Sequence, residues 1–283
     1  MKFHLDSAEI FVPDGLQPVE ALQRTTHMAI SAHHDDIEIM AASPILYCFQ
    51  SQERWFSGVV VTDGRGSPRS GLYGNYTDEE MRLVRIKEQR KAAVVGEYSA
   101  QVLLDYPSKA VKDGANPKPV EDIAALLRTA RPQVVYTHNL ADKHDTHVGV
   151  ALKVIAGIRS LAENERPQKL YGCEVWRDLD WMVDSDKIAF DLSKHESLQA
   201  ALIGVFDSQI AGGKRYDLAS MARRRANATY FESHGVDETT GMSFAMDLTP
   251  LVLNTELDIE GFVQEFIHRF SQDVTSRLNR VGE

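Results

Sequence analysis

Short apolar segments typical of buried strands alternate with helical segments along the first 160 residues of the chain. The four strand-like segments are residues 25–32, 57–62, 101–105 and 133–137. Apolar residues in the segments between them recur near helical spacing. This alternation predicts an α/β fold with a mostly parallel, Rossmann-like sheet and helices on both faces.

The pattern loosens after Pro167, where we predict two more strands and three more helices. The strands are residues 170–176 and 187–191, and the helices are residues 192–207, 218–231 and 259–278. No linker or internal repeat divides the chain. We therefore expect one domain over residues 1–283, with a core at about 25–165 and a C-terminal extension at about 166–283.

Two segments before the third strand have clear local signals. Residues 63–76 contain four glycines and read as a loop. Thr77 follows with Glu80 three residues later, a pattern typical of a capping box. We therefore predict that a long helix begins at Asp78 and ends near Tyr98.

Composition excludes several classes of function. The net charge of −10 and the pI of about 5.5 disfavour a nucleic-acid partner. No apolar stretch approaches the ~20 residues that span a bilayer, and the N-terminus lacks the apolar region of a signal peptide. Cys48 and Cys173 are too few for a disulfide framework. We expect a cytoplasmic protein with no membrane partner.

Two polar clusters come directly after predicted strands. Residues 33–36 (HHDD) follow the first strand, and residues 138–147 (HNLADKHDTH) follow the fourth. Ligands of open α/β sheets bind beyond the carboxyl ends of the strands. Imidazoles and carboxylates from two such segments can form the three-ligand set of a catalytic zinc. The alternative is that these residues are helix caps and solvated loop residues.

The spacing within each cluster adds detail. Adjacent Asp35 and Asp36 point in different directions, so one can bind a metal while the other faces the attacking water. His144 and His147 are three residues apart at the start of a helix and can share a face. One of these histidines can bind the metal while the other faces the developing oxyanion.

Four motifs resemble the PIG-L family, also called LmbE-like N-deacetylases. Residues 32–39 (AHHDDIEI) resemble its A-H-P-D-D-(I)-E signature, and residues 144–147 (HDTH) resemble its H-P-D-H signature. Residues 62–64 (TDG) resemble its T-[ND]-G loop, and residues 85–93 resemble its R-x-x-E-x-x-x-A helix. The resemblance covers about residues 25–160, with the motifs in the family's order. It implies metal-dependent hydrolysis of an N-acyl amide, here an N-acetyl group on an amino-sugar-type small molecule.

The resemblance also implies residue roles. It assigns the metal ligands His33, Asp36 and His147, the general base Asp35, and the oxyanion-stabilising His144. It places Arg85 near the substrate, while Glu88 supports the site by hydrogen bonding. The implied cofactor is Zn²⁺, and nitrogen and oxygen ligands also suit Fe²⁺.

The chain departs from the family pattern at three positions. His34 replaces the usual proline, and three interpretations stay open: a passive replacement, a hydrogen-bond donor to the ligands, or a substrate contact. Asp145 and Thr146 replace the Pro-Asp pair of the second signature, so the aspartate that tunes the catalytic histidine is missing. Asp142 or Asp145 can take the place of this aspartate; otherwise, we expect a lower pKa for His144.

Weaker candidates for substrate contact are Arg65 in the glycine-rich loop and His234 in a late segment. Both positions are equally compatible with a solvated surface. The family resemblance and the loosely patterned C-terminal third are compatible with a homo-oligomer.

Two other functions stay open, and a third is disfavoured. The chain can be a metallohydrolase of a different amide or ester on the same scaffold. It can also be a metal- or carbohydrate-binding protein in which the altered second motif has removed catalysis. A nucleotide-binding Rossmann protein is disfavoured, because no G-x-G-x-x-G follows the first strand.

Overall fold

One eight-stranded sheet organises the chain in the computed structural model, which describes residues 1–282. The strands are β1 (Glu9–Phe11), β2 (His27–Ser31), β3 (Phe56–Thr62), β4 (Ala100–Tyr106), β5 (Val134–His138), β6 (Lys169–Cys173), β7 (Lys187–Asp191) and β8 (Met242–Asp247). Their order across the sheet is β1-β4-β3-β2-β5-β6-β8-β7. Strands from the C-terminal extension therefore continue the same sheet as strands of the predicted core.

The five central strands, β4, β3, β2, β5 and β6, run parallel. Antiparallel pairing occurs only toward the edges of the described sheet, where β1 joins β4 and the β8–β7 pair joins β6. The predicted mostly parallel α/β fold is confirmed. The predicted strand at residues 187–191 matches β7, which lies at one edge.

Twelve α-helices connect or flank the strands. They are α1 (Pro18–Gln23), α2 (Asp36–Met40), α3 (Ala42–Cys48), α4 (Asp78–Val95), α5 (Ser108–Lys112), α6 (Lys118–Ala130), α7 (Asp145–Arg159), α8 (Glu196–Gly204), α9 (Asp207–Ile210), α10 (Tyr216–Tyr230), α11 (Thr249–Leu253) and α12 (Ile259–Gly282). Within residues 1–282, none of these helices is both long and apolar enough to cross a membrane.

The core lies in two layers, one on each face of the sheet. Successive side chains of a strand point to opposite faces, so Met28 and Ile30 of β2 join one apolar cluster and Ala29 joins the other. Helices α1, α6, α7, α11 and α12 contribute to the first cluster, and α2, α3, α4 and α8 to the second. Strands covered on both faces must be apolar along their whole length, which explains the valine-rich sequence of β3.

The predicted helix after β2 is divided into α2 and α3 at Ala41. Pro44 explains the position of the break. It has no N–H to donate to the carbonyl of Met40, and its ring crowds that carbonyl. The chain therefore leaves the helix four residues before the proline and restarts with Pro44 in the first turn of α3.

Several short helices and strands have no local sequence pattern that predicts them. The unpredicted elements include β1, α1, α5 and β8. Strand β8 is nearly completely buried, and its Met242 and Met246 lie in the core. Pairing with β6 and β7, rather than local propensity, decides that this segment is a strand.

The capping box predicted at Thr77 is present. The Thr77 hydroxyl accepts a hydrogen bond from the Glu80 backbone N–H (3.2 Å), and the Glu80 carboxylate accepts one from the Thr77 N–H (2.8 Å). Two backbone donors at the start of α4 are therefore satisfied. This helix carries Arg85, Glu88 and Gln89, so its start fixes their position along the sheet.

We expect Thr77→Ala to lower the free energy of unfolding by about 1 kcal/mol, because an N–H at the start of α4 loses its acceptor. Urea denaturation followed by circular dichroism measures the change. Thr77→Ser keeps the hydroxyl and should stay close to wild type. Equal stability of all three proteins would contradict the assigned role of the cap.

Candidate active site

The site lies where the strand order reverses. From β2 the chain proceeds through β3 and β4 on one side, whereas β5 and β6 lie on the other. Strands β2 and β5 are parallel neighbours, so their carboxyl ends open a crevice between the loops that follow them. Residues 33–36 and 142–147 are those loops and the first turns of α2 and α7.

Three predicted metal ligands converge in this crevice. His33 Nδ1 lies 3.1 Å from His147 Nε2 and 3.2 Å from Asp36 Oδ2. His147 Nε2 lies 3.4 Å from the same Asp36 oxygen. Asp36 and His147 are buried, whereas His33 is half-buried and borders a cavity.

This triangle fits a divalent cation. Ligands that bind tetrahedral zinc at ~2.0–2.1 Å lie about 3.3 Å from one another. The three edges found here, 3.1, 3.2 and 3.4 Å, match that separation. Two imidazoles and one carboxylate are also a donor set that zinc and ferrous iron accept. The side chains present therefore fit the metal that the resemblance implies.

The backbone of the first motif separates the two aspartates. Asp35 adopts a positive φ of 87°, which is rare for a residue with a side chain. Its N–H donates to Gln89 Oε1 (3.2 Å), and Asp36 Oδ2 accepts from the His33 N–H (2.7 Å). Asp36 therefore faces the histidines, while Asp35 faces α4.

Arg85 is buried against Asp35 and is hardly exposed at the surface of the cavity floor. Its side chain is 1% exposed, and it donates to Asp35 Oδ2 (2.8 Å), to Glu88 Oε2 (3.0 Å) and to the His34 carbonyl. Glu88 in turn accepts from the backbone N–H and the hydroxyl of Ser208, both at 2.7 Å. Arg85 borders the cavity, but its nearest partners show that it holds Asp35 in place.

The environment of Asp35 suits proton transfer. Burial raises the pKa of Asp35 to about 6, with Asp36 adding to the rise and Arg85 opposing it. A carboxylate with a pKa close to neutrality can take up and release a proton at physiological pH. The prediction of Asp35 as a general base is consistent with this environment.

Asp142 orients the third candidate ligand. Its Oδ2 lies 3.2 Å from His147 Nδ1, which leaves His147 Nε2 facing Asp36 and His33. Its Oδ1 accepts from the His144 N–H (3.1 Å). Asp145 is exposed, so of the two substitutes considered for the missing family aspartate, Asp142 is the one beside the histidines. It contacts the His147 ring rather than the His144 ring.

His144 borders the cavity and stacks on His147, with ring centroids 4.6 Å apart. Burial lowers the pKa of His144, and the nearby His147 and His33 lower it further. Its Nδ1 has no hydrogen-bond partner within residues 1–282. This nitrogen is buried, so the ring meets the cavity through its other atoms.

His138 is a buried neighbour of the site to which the sequence analysis gave no role. It stacks on His147 with ring centroids 3.9 Å apart, and it lies 3.5 Å from Asp36 Oδ2. Its Nε2 accepts a hydrogen bond from the Ala32 N–H (2.8 Å). Because this lone pair is already used, His138 supports the ligands instead of joining them.

A cavity of about 500 Å³ opens above these residues. Its lining residues are His33, Asp35, Asp36, Gly64, Gly66, Ser67, Pro68, Arg85, Ser108, Lys112, His144, Thr146, Trp176, Gln209, Lys214 and Tyr216. The glycine-rich loop and the C-terminal extension thus form walls around a floor made by the two motifs. The volume falls within the ~300–1,000 Å³ of small-molecule sites.

Three predicted substrate contacts lie outside this lining. Arg65 pairs with Asp63 and Glu79, each at 2.7 Å, and His234 is exposed. His34 is 1% exposed, and neither ring nitrogen has a partner within residues 1–282. Burial holds the pKa of His34 well below its usual range, with Arg85 adding to the effect. These three stay predictions without a cavity contact that supports them.

Three residues that line the cavity were not predicted as site residues: Trp176, Lys214 and Tyr216. Trp176 follows the carboxyl end of β6 by three residues, a position at which a ligand contact is expected in this fold. Lys214 lies two residues before α10 and Tyr216 begins it, in a basic segment (residues 214–225) whose composition favours a solvated helix face. They reach the cavity only because α10 packs against the sheet.

Residues 28–157 match the model of the PIG-L family, described as GlcNAc-PI de-N-acetylase. The resemblance predicted from the motifs is therefore confirmed over these residues. The matched range holds the ligand triangle, Asp35 and His144. No curated protein matches the sequence significantly.

Solved structures share the fold at low sequence identity. A conserved protein from Thermus thermophilus has a TM-score of 0.62 at 17% identity, covering 83% of this chain and 99% of its own. The 4-carboxy-2-hydroxymuconate hydratase GalB from Pseudomonas putida has a TM-score of 0.60 at 16% identity, covering 79% and 96%. The N,N′-diacetylchitobiose deacetylase from Pyrococcus horikoshii has a TM-score of 0.57 at 16% identity, covering 78% and 83%. A hydratase and a deacetylase thus share this fold, so the fold alone does not decide the reaction.

We expect about one divalent metal per chain in wild-type protein reconstituted with zinc, and almost none in His33→Ala or Asp36→Ala, because each loses a ligand. Mass spectrometry of the desalted proteins measures the content. His234→Ala, an exposed histidine outside the cavity, is the matched control and should keep the metal. A wild type that binds no metal after reconstitution would contradict the ligand assignment.

Asp142→Asn should keep all three ligands but weaken metal binding roughly 10- to 100-fold, because the carboxylate that orients His147 is lost. Competition with a chromophoric chelator measures the affinity. Asp145→Asn removes an exposed carboxylate from the same motif and should bind like wild type. If both variants bind metal as wild type does, Asp142 does not orient His147.

Proposed function

We propose that this protein is a metal-dependent N-deacetylase that hydrolyses an N-acetyl amide on an amino-sugar-type substrate and releases acetate and a free amine. The observation that carries the proposal is the convergence of His33, Asp36 and His147 on one point, with Asp35 beside them on the cavity floor. The match of these positions to a family of de-N-acetylases supports it.

The metal's part in this chemistry is limited and specific. A divalent cation held by His33, Asp36 and His147 supplies Lewis acidity, which polarises an amide carbonyl and makes water more acidic. We propose zinc, since the donor set suits it and the separations fit tetrahedral binding.

Asp35 removes the proton from the attacking water. Arg85 holds one carboxylate oxygen at 2.8 Å, so the carboxylate keeps a fixed orientation at the cavity floor. The pKa of Asp35, raised by burial to about 6, allows the carboxylate to accept a proton near neutral pH. Once protonated, Asp35 can pass this proton to the departing amine.

His144 stabilises the charge that develops on the carbonyl oxygen. It faces the same cavity as Asp35, next to the His33 ring at a centroid distance of 5.0 Å. A hydrogen bond from its ring to the tetrahedral oxyanion lowers the barrier of the addition step. Thr146 stands where the family has aspartate, so a carboxylate of this kind does not assist His144 here.

The cavity supports the proposed substrate class. Its volume suits a monosaccharide with a substituent, and its walls mix the aromatic Trp176 and Tyr216 with polar side chains. The Pyrococcus horikoshii neighbour, by its description, acts on an acetylated amino sugar, which agrees with this proposal.

The competing proposals differ in measurable outcomes. A metallohydrolase of another bond would release acid from longer N-acyl amides or from esters but not from N-acetyl sugars. A binding protein would retain metal without turnover of any of these compounds. A panel of N-acetylglucosamine, its simple glycosides, longer N-acyl analogues and an ester therefore separates the three.

Asp35→Asn should lower kcat/KM for acetate release roughly 10²- to 10⁴-fold while the metal content stays near one per chain, because the base is lost and the ligands remain. An enzyme-coupled acetate assay and mass spectrometry of the same samples test both statements. Asp145→Asn serves as the control at a nearby exposed carboxylate. Wild-type activity in Asp35→Asn would contradict the role of Asp35, and no acetate from any N-acetyl compound with metal bound would contradict the deacetylase proposal.

A further inference from the structure

A second cavity of about 150 Å³ adjoins the first. Trp176 and Tyr216 line both cavities, and their rings stand nearly perpendicular at a centroid distance of 6.2 Å. Most of the other lining residues come from the β6 exit, α10 and β8, which lie beyond the residues matched by the family model. We call this second cavity the side pocket; it is a feature of the C-terminal extension.

Two arginines of α10 line the side pocket without an ion-pair partner. Arg224 is 4% exposed, and its guanidinium donates only to neutral acceptors: Gln199 Oε1 (3.0 Å), the carbonyls of Glu38 (2.8 Å) and Ile39 (3.2 Å), and Met221 Sδ (3.6 Å). Arg223 donates to the Val175 carbonyl. Among residues 1–282, no carboxylate oxygen lies within 4.0 Å of either guanidinium.

A buried cation without an anion is costly, because the protein interior replaces water poorly. Burial lowers the pKa of Arg224 to about 10, with Glu174 opposing the change, so the side chain is still charged at neutral pH. A bound anion would remove this cost.

Glu174 is the one carboxylate among the residues that line the side pocket. Its oxygens are already occupied by the N–H groups of Leu179 (3.1 Å) and Phe244 (3.3 Å) and by Asn227 Nδ2 (2.6 Å). The lining therefore carries two positive charges against one negative charge, and the negative one is committed to other donors.

Ser243 provides an independent indication of a ligand. It lies on β8, lines the side pocket and is 6% exposed. Its hydroxyl has no hydrogen-bond partner within residues 1–282. Buried hydroxyls are usually paired, so this one is a polar group at the pocket wall that the described protein atoms leave unsatisfied.

We propose that the side pocket binds an acidic group carried on a short carbon stem of the substrate. A carboxylate would form an ion pair with the guanidinium groups of Arg223 and Arg224, which have none, and it would offer an acceptor near the Ser243 hydroxyl. The apolar side chains of Ile39, Val175 and Ala219 would contact the carbon stem. A cavity of this volume holds about six non-hydrogen atoms, since a 150 Å³ cavity admits benzene. The inference rests on the proposed function, because it places the acetamide in the first cavity and the acid beyond Trp176 and Tyr216.

The experiment compares matched ligands. The probes are glycosides of N-acetylglucosamine with glycolic acid and with 4-hydroxybutanoic acid, each paired with its neutral primary amide. Titration calorimetry gives the Kd of each, and an acetate assay gives turnover. We expect the better-fitting acid to bind about tenfold more tightly than its amide, as a charge-assisted hydrogen bond implies.

Arg223→Gln should reduce this acid-to-amide ratio to about one, and Ser243→Ala should reduce it partly. Arg223 is chosen over Arg224 because Arg224 also holds two carbonyls of α2. Arg225→Gln is the matched control, since Arg225 is exposed on the same helix and faces Glu196 (3.3 Å) and the Thr240 carbonyl (3.1 Å). It should keep the wild-type ratio.

The outcomes separate the two proposals. Acetate release from the amides with no preference for the acids would overturn the side-pocket inference and leave the deacetylase proposal standing. Preferential binding of an acid without acetate release would do the reverse. Equal loss of the ratio in Arg223→Gln and Arg225→Gln would also overturn the inference, because a general surface charge would then explain the preference.

Discussion

The carboxylate of Asp36 is the contact on which the site depends. One of its oxygens accepts the His33 N–H at 2.7 Å and lies 3.2 Å from the His33 ring and 3.4 Å from the His147 ring. Burial alone would raise the pKa of Asp36, but His147 and His33 hold it well below its usual range. Asp36 therefore stays ionised and joins the loop after β2 to the helix after β5. Without this contact, the histidines of two distant segments have no common partner.

A second network ties the C-terminal extension to the same floor. Ser208 donates to Glu88, Glu88 pairs with Arg85, and Arg85 pairs with Asp35. All four side chains are buried, so an interruption leaves an unpaired charge in the interior. The extension is thus part of the candidate site, and it also contributes Trp176, Lys214 and Tyr216 to the cavity. Residues outside the range matched by the family model therefore shape the cavity.

The sequence predicted those features of the fold and the site that depend on local sequence pattern. Valine-rich strands, the capping box at Thr77 and the two motifs at strand ends each have a local physical cause, and the structure places them as expected. The sequence did not predict β8, because the conformation of this strand depends on its neighbours in the sheet. It also did not predict the burial of Arg85, because that burial depends on the packing of α4 against the first motif. Long-range contacts of this kind, including the side pocket between α10 and β8, leave no periodic trace in one sequence.

X-ray absorption spectroscopy at the zinc edge of the reconstituted protein tests the central claim most directly. We expect one zinc per chain with two imidazole nitrogens and further oxygen ligands at about 2.0–2.2 Å, and loss of one imidazole contribution in His147→Ala. A spectrum with no imidazole contribution, or one unchanged in His147→Ala, would contradict the assignment of the metal to the crevice between β2 and β5.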